Sequence, residues 1–139
     1  MPVISLTQDA IDRGKTPEKG WSPAELHDVT EQKAKSQVSV NYFFEFELTG
    51  GPENKSENTG RFITFMVNSA GLAKGLGVED FKRMISALLD IKPNEVQPDD
   101  YDTDKLKGKT CWIKIDIETQ DGKLVARATD FTRSSDIPF

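Results

Sequence analysis

Side chains able to do covalent or metal chemistry are few in this sequence, and their spacing is unproductive. The single histidine, His27, opens a strand-like segment, whereas the single cysteine, Cys111, falls at the inward parity of another. Cys111 therefore reads as a buried thiol and not as half of a cysteine–histidine pair. One cysteine forms no internal disulfide and supplies no cysteine-based zinc site, and it suits a reducing compartment such as the cytoplasm. Gly108-Lys109-Thr110 has the ending of a phosphate-binding loop, but the glycine required five positions before Gly108 is Thr103. Gly71, Gly75 and Gly77 lack the dinucleotide spacing. Asp99 to Asp104 superficially follows a calcium loop, yet Asp104 stands where the glycine belongs and Thr110 where the terminal glutamate belongs. The stretch is expected to be a solvated, mobile acidic loop. The inventory argues for binding over catalysis, with no cofactor and no metal. A metal-dependent nuclease would need those carboxylates fixed on the fold.

A second set of residues suits binding. Single-stranded nucleic acid needs flat side chains on which bases stack, worth about 1–3 kcal/mol each, and cations that follow the phosphates. Trp112 and Lys114 point the same way on one strand, Phe43 lies on the polar face of another, and Phe62 opens a third. Lys33 and Lys35 in a first turn, Arg61 at a strand start and Arg127 in the last strand are the expected phosphate contacts. The competing account has Trp112 covering a barrel end, Phe43 packing beneath a helix or the N-terminal arm, and the cations as ordinary surface charge.

The third set is the C-terminal Asp136-Ile137-Pro138-Phe139. Phe139 can fill an apolar pocket while its carboxylate and Asp136 meet basic residues on the rim, and Pro138 reduces the entropy lost on binding. A frayed end is the alternative.

The elements that must position these residues follow from periodicity. Val38 to Leu48 alternates Val38, Val40, Tyr42, Phe44, Phe46 and Leu48 with polar residues, the period of a sheet with one buried face. Glu25 to Thr30 is a weaker strand before it, and 31–36 a polar turn. Arg61 to Asn68 is strand-like after a polar loop over 50–60. Phe81, Met84, Ile85, Leu88 and Leu89 mark one face of a helix over Glu79 to Ile91, which Pro93 stops. Thr110 to Thr119 and Leu124 to Thr132 are joined at Asp121-Gly122, a strong hairpin signal. Residues 1–20 show no sustained period and read as a poorly ordered arm. Five strands with a helix between the third and fourth predict a mainly β protein, a five-stranded OB-fold barrel with a short C-terminal tail.

Length and charge agree with that plan. At 139 residues the chain has room for one domain, and 36% hydrophobic against 29% charged residues leaves a compact core with much loop. The net charge of −5 argues at first against a polyanionic ligand. Between Asp90 and Asp104, however, six acids face one base, Lys92, so this stretch carries the whole excess and the rest of the chain is balanced. No apolar run spans a membrane, and Met1 to Ser5 lacks the plan of a signal peptide, so a cytoplasmic protein is expected.

The last four residues resemble the terminal peptide through which bacterial single-stranded DNA-binding proteins recruit their partners. The body resembles phage-encoded single-stranded DNA-binding proteins in Trp21-Ser22-Pro23, the lysine-rich turn Lys33 to Ser36, the aromatic strand, Leu106-Lys107-Gly108-Lys109 and Asp121-Gly122. The resemblance implies an OB-fold over residues 21–133 that coats single strands during replication, recombination or repair in the host cytoplasm, with residues 134–139 reaching host or phage partners. It leaves self-association open. Where the bacterial tip is preceded by several acids, Ser134 and Ser135 stand before the single Asp136, so electrostatic recruitment should be weaker. The rival from another class is a protein-interaction or virion structural module on an OB-like barrel.

Overall fold

The computed structural model describes residues 3–33, 39–50, 58–99 and 101–133. Five strands form one antiparallel sheet: β1 (Gly20–Lys33), β2 (Val40–Leu48), β3 (Phe62–Asn68), β4 (Thr110–Gln120) and β5 (Lys123–Thr132), in the order β3-β2-β1-β4-β5. The long central β1 is the organiser. Its first part pairs with β4, Gly20 to Glu25 opposite Ile115 to Thr110, and from Ala24 onward it pairs with β2. A bulge between Leu26 and Asp28 leaves His27 as the extra residue and bends the strand. Strand β1 is longer than the periodicity predicts because Pro23, which has no N–H to donate, lies inside its β4-paired part and breaks the sequence signal without breaking the strand.

The period-two pattern of β2 and β4 matches the burial. Phe44, Phe46 and Leu48 on β2, and Cys111, Ile113 and Ile115 on β4, are buried together with Ala24 and Leu26 of β1. Helix α1 (Gln8–Arg13) precedes the sheet, and between β3 and β4 lie α2 (Ser69–Ala73), α3 (Val78–Leu89) and α4 (Thr103–Leu106). Helix α3 lays Met84, Ile85 and Leu88 on the core and packs chiefly against β5. It ends at Asp90, which adopts the left-handed conformation (φ 57°) and returns its N–H to the Ser86 carbonyl, just before Pro93. At the β4–β5 turn Asp121 (φ 53°) and Gly122 (φ 77°) both take positive φ, the geometry a two-residue hairpin of this hand requires.

The sheet coils until its two edge strands approach each other. Phe65 of β3 and Phe131 of β5 meet edge to face at 5.1 Å, Phe131 also contacts Phe46 at 5.9 Å, and Phe44 continues the chain to Phe65 at 6.4 Å and to Phe81 of α3 at 6.3 Å. Among the described residues no backbone ladder joins β3 to β5, so the sheet is open along that seam.

Two expectations are corrected. The arm is structured: it carries α1, its Pro17 is buried, and Glu18 is hydrogen-bonded to Asn58. The described acids of the acidic connection are exposed, as a solvated stretch requires, but the connection is anchored and not a free loop. Val96 and Tyr101 lie against the core, the Tyr101 hydroxyl donates to the Gln97 carbonyl at 2.5 Å, Pro93–Glu95 form a 3₁₀ turn, and Asp102 caps α4. Its apolar residues are too widely spaced to register as a period, and burial of Val96 and Tyr101 is what holds it. The Lys107 ammonium bridges Asp28 of β1 at 3.1 Å and Asp104 at 3.3 Å, which draws the Asp28 carboxyl below and the Lys107 ammonium above its ordinary pKa.

Candidate functional site

The seam between β3 and β5 is a groove of about 730 Å³. One wall is β3 from Phe62 to Met66, the other is β5 from Leu124 to Ala128, and residues 14–17 of the arm form a third. Lys15 and Arg127 are its charged members, and among the described residues that line it there is no acid. The acids nearest this lining lie on the neighbouring strands, Glu118 paired with Arg127 and Glu45 and Glu47 opposite Thr64 and Phe62. Apolar surface lies beside the cations: Leu124 is 64% and Met66 50% exposed, and Phe62 is half-buried with its ring set edge to face against His27 at 5.5 Å. Arg127 pairs through Nε with Glu118 on the adjacent strand, which leaves further guanidinium N–H donors for another acceptor.

The arm wall is tied down by a buried amide. Asn58, wholly buried in the turn before β3, donates from Nδ2 to the Glu18 carbonyl (3.1 Å) and the Ser22 hydroxyl (3.0 Å). Its Oδ1 accepts from the Glu18 N–H (2.7 Å) and from Nη1 of Arg61 (3.3 Å), and the same Arg61 nitrogen donates to the Thr16 carbonyl at 3.2 Å.

No family model and no curated protein matches this sequence. The site has to be argued from its own geometry.

Of the residues singled out by sequence, Phe62 and Arg127 line the groove, and Arg61 stands beside it, committed to the arm. Others lie apart. Trp112 keeps the parity of Lys114 but is only 8% exposed, with Pro23 and Thr132 opposite it on the neighbouring strands, so the expectation of an open stacking face there is corrected in favour of a tryptophan covering the sheet. Lys114 is exposed on β4 opposite Trp21 and Asp130. Phe43 is half-buried on the outer face between Thr30 and Met66, next to Glu45. Lys33 is exposed at the end of β1. Lys35 and the tip Asp136-Ile137-Pro138-Phe139 lie outside the described residues.

Sequence reasoning missed Lys15 and the wall it belongs to, because an arm without period gives no sign of where it docks. Met66 could have been found from its outward parity on β3. Among the described residues no group of three His, Cys, Asp or Glu side chains is placed to hold a metal ion. The Cys111 thiol is 1% exposed, and burial raises its pKa far above that of a free cysteine. A thiol reagent at pH 8 should therefore leave the native protein unmodified and react fully only in denaturant, as a colorimetric thiol assay would show; rapid native labelling would contradict the buried position.

Proposed function

We propose that the protein binds single-stranded DNA, without strong sequence preference, along the groove between β3 and β5, and recruits partner proteins through Asp136 to Phe139. The observation that carries this reading is the acid-free groove, which sets Lys15 and Arg127 beside Phe62, Phe65 and Met66 in an acidic protein. Cations along a channel track phosphates, and aromatic faces beside them accept bases of any identity. Strand order and the helical connection between β3 and β4 support an OB-fold, a partly open Greek-key barrel that often binds oligonucleotides; Glu45 and Glu47 on the strand 2–3 face leave the neighbouring β3–β5 seam as the better channel here. The groove runs along β3 toward the β4–β5 hairpin, and Lys33 leads into the first loop.

Duplex DNA is a poor fit. A groove bordered by two sheet edges and a strap offers no helix or ribbon to enter a major groove, whereas an unpaired strand can lay the face of a base on Phe62. Binding of a fluorescent oligo-dT with matched duplex as competitor tests the reading. Preference for the single strand, with affinity falling steeply between low and moderate salt as counterions are released, is expected. Absence of binding at low salt overturns it.

One observation favours the rival protein-interaction module. The outer face of β1–β2–β3 joins Phe43 and the exposed Met66 with Glu25, Glu45 and Glu47. That acidic, partly apolar surface repels phosphate and suits a basic protein partner.

A further inference from the structure

We infer, resting on the single-strand reading, that residues 14–17 are a strap latched by Asn58, and that this latch sets how long a bound strand stays in the groove. Asn58 makes all four of its amide hydrogen bonds inside the protein, two to Glu18, one to Ser22 and one from Arg61. A fully satisfied, fully buried amide fixes one arrangement of the groups around it, because any other leaves donors or acceptors without partners. What it fixes is the third wall of the groove. Glu18 is anchored directly, Thr16 through Arg61, and the two anchors flank the buried Pro17. Lys15, one of the two cations lining the groove, is carried on this segment.

The other end of the strap is different in kind. Gly14 closes the short helix α1 through its N–H to the Ala10 carbonyl, and residues 3–11 are exposed. The strap is thus fastened on its β1 side and carried on its other side by a solvent-facing helix. A long single strand has no end to thread and must enter sideways, past the strap, between the two sheet edges. A wall held in place by the latch presents Lys15 and its neighbours to the strand once it lies in the groove, and so stabilises the bound state more than the passage into it. Loss of the latch should consequently act on the dissociation rate more than on association, as most interface changes do.

Stopped-flow dissociation of a labelled oligo-dT from wild type, Asn58→Ala and Asn58→Asp tests this, with circular dichroism to confirm folding. Asn58→Ala should dissociate about tenfold faster or more while its association rate stays within about threefold of wild type. Asn58→Asp keeps the acceptor for Glu18 and Arg61 but turns a second oxygen on the Glu18 carbonyl, and should dissociate at least as fast as Asn58→Ala. In wild type, exchange of the Glu18 amide proton, which points at Asn58, should slow when the oligonucleotide saturates the protein. Unchanged dissociation in a folded Asn58→Ala protein overturns the latch while the single-strand reading stands. If that variant does not fold, an unchanged Glu18 exchange rate in wild type overturns it instead. Failure of wild type to bind oligo-dT at all removes the reading on which the latch rests.

Discussion

Replacing Phe131 with alanine is expected to lower the unfolding free energy by about 3–5 kcal/mol, the range for truncating a buried phenylalanine in a packed core. Phe131 is 5% exposed, and its ring touches Phe65 on β3 and Phe46 on β2, so it is the contact that draws the last strand of the sheet to the first across the open seam. No backbone ladder among the described residues joins those strands, so side chains have to hold the curl. The cavity left by alanine would be lined by the chain of rings that continues through Phe44 to Phe81, and α3, which packs on β5, limits how far β5 can move inward to fill it. Urea unfolding should show a lower midpoint at an unchanged slope. A loss below about 1 kcal/mol would mean that the seam is held by something other than this aromatic contact.

Replacing Phe62 with alanine is expected to weaken oligo-dT binding by about 1–3 kcal/mol, a factor of about 5 to 150, while stability changes much less than for Phe131. Phe62 is half-buried and its ring already has one edge-to-face neighbour, His27, which holds it in orientation at 5.5 Å and leaves part of the ring surface toward the groove. Pre-orientation matters because a ring that need not be ordered on binding retains more of the stacking energy. The informative control is Phe43→Ala. Phe43 is the aromatic that alternation along β2 marks most plainly, but it stands one strand back, opposite Met66 and next to Glu45, and does not itself line the groove, so its removal should change affinity by less than about twofold. Equal losses for the two variants, measured by fluorescence anisotropy, would move the binding surface to the outer face of β2 and β3.

The contrast between these two phenylalanines shows how far the sequence could be read. Alternation in β2 and β4 and the helical spacing of Phe81, Met84, Ile85 and Leu88 were legible because each element buries one face, and burial of one face is what writes a period into a sequence. The Asp121-Gly122 turn was legible because few residues tolerate its backbone. Parity also placed Trp112 and Lys114 on the same side of β4, but parity gives direction and not exposure. Pro23 of β1 and Thr132 of β5, opposite Trp112, come from distant parts of the chain, and no local pattern announces that they will be neighbours.

The groove was illegible for the same reason. It exists because the sheet curls until β3 nears β5, and the degree of curl depends on contacts such as Phe65 with Phe131, which join residues far apart in sequence. Its third wall depends on Asn58, a residue in a polar turn whose composition suggests solvent exposure and whose side chain is nevertheless wholly buried because Glu18, Ser22 and Arg61 surround it with partners. Phe62 and Arg127 were named from residue type and strand position alone, and the fold brings these two together. Lys33 and Lys114, chosen on the same grounds, it leaves elsewhere on the surface.

The acidic stretch from Asp90 to Asp104 gives the protein its net charge, and none of its described residues lines the groove. Its packing beside α3 and the ion pair of Asp104 with Lys107 anchor the stretch. On the single-strand reading, the rate of encounter with a polyanion is expected to be sensitive to ionic strength.

The most direct test is photochemical. An oligo-dT in which iodouracil replaces thymine, bound to the intact protein at low salt and irradiated, should leave its adducts in the two peptides that form the groove, at Phe62, Phe65 or Met66 on β3 and within Leu124 to Ala128 on β5. Adducts confined to Phe43 or Trp112, or found only outside these two strands, would contradict a single strand lying between β3 and β5.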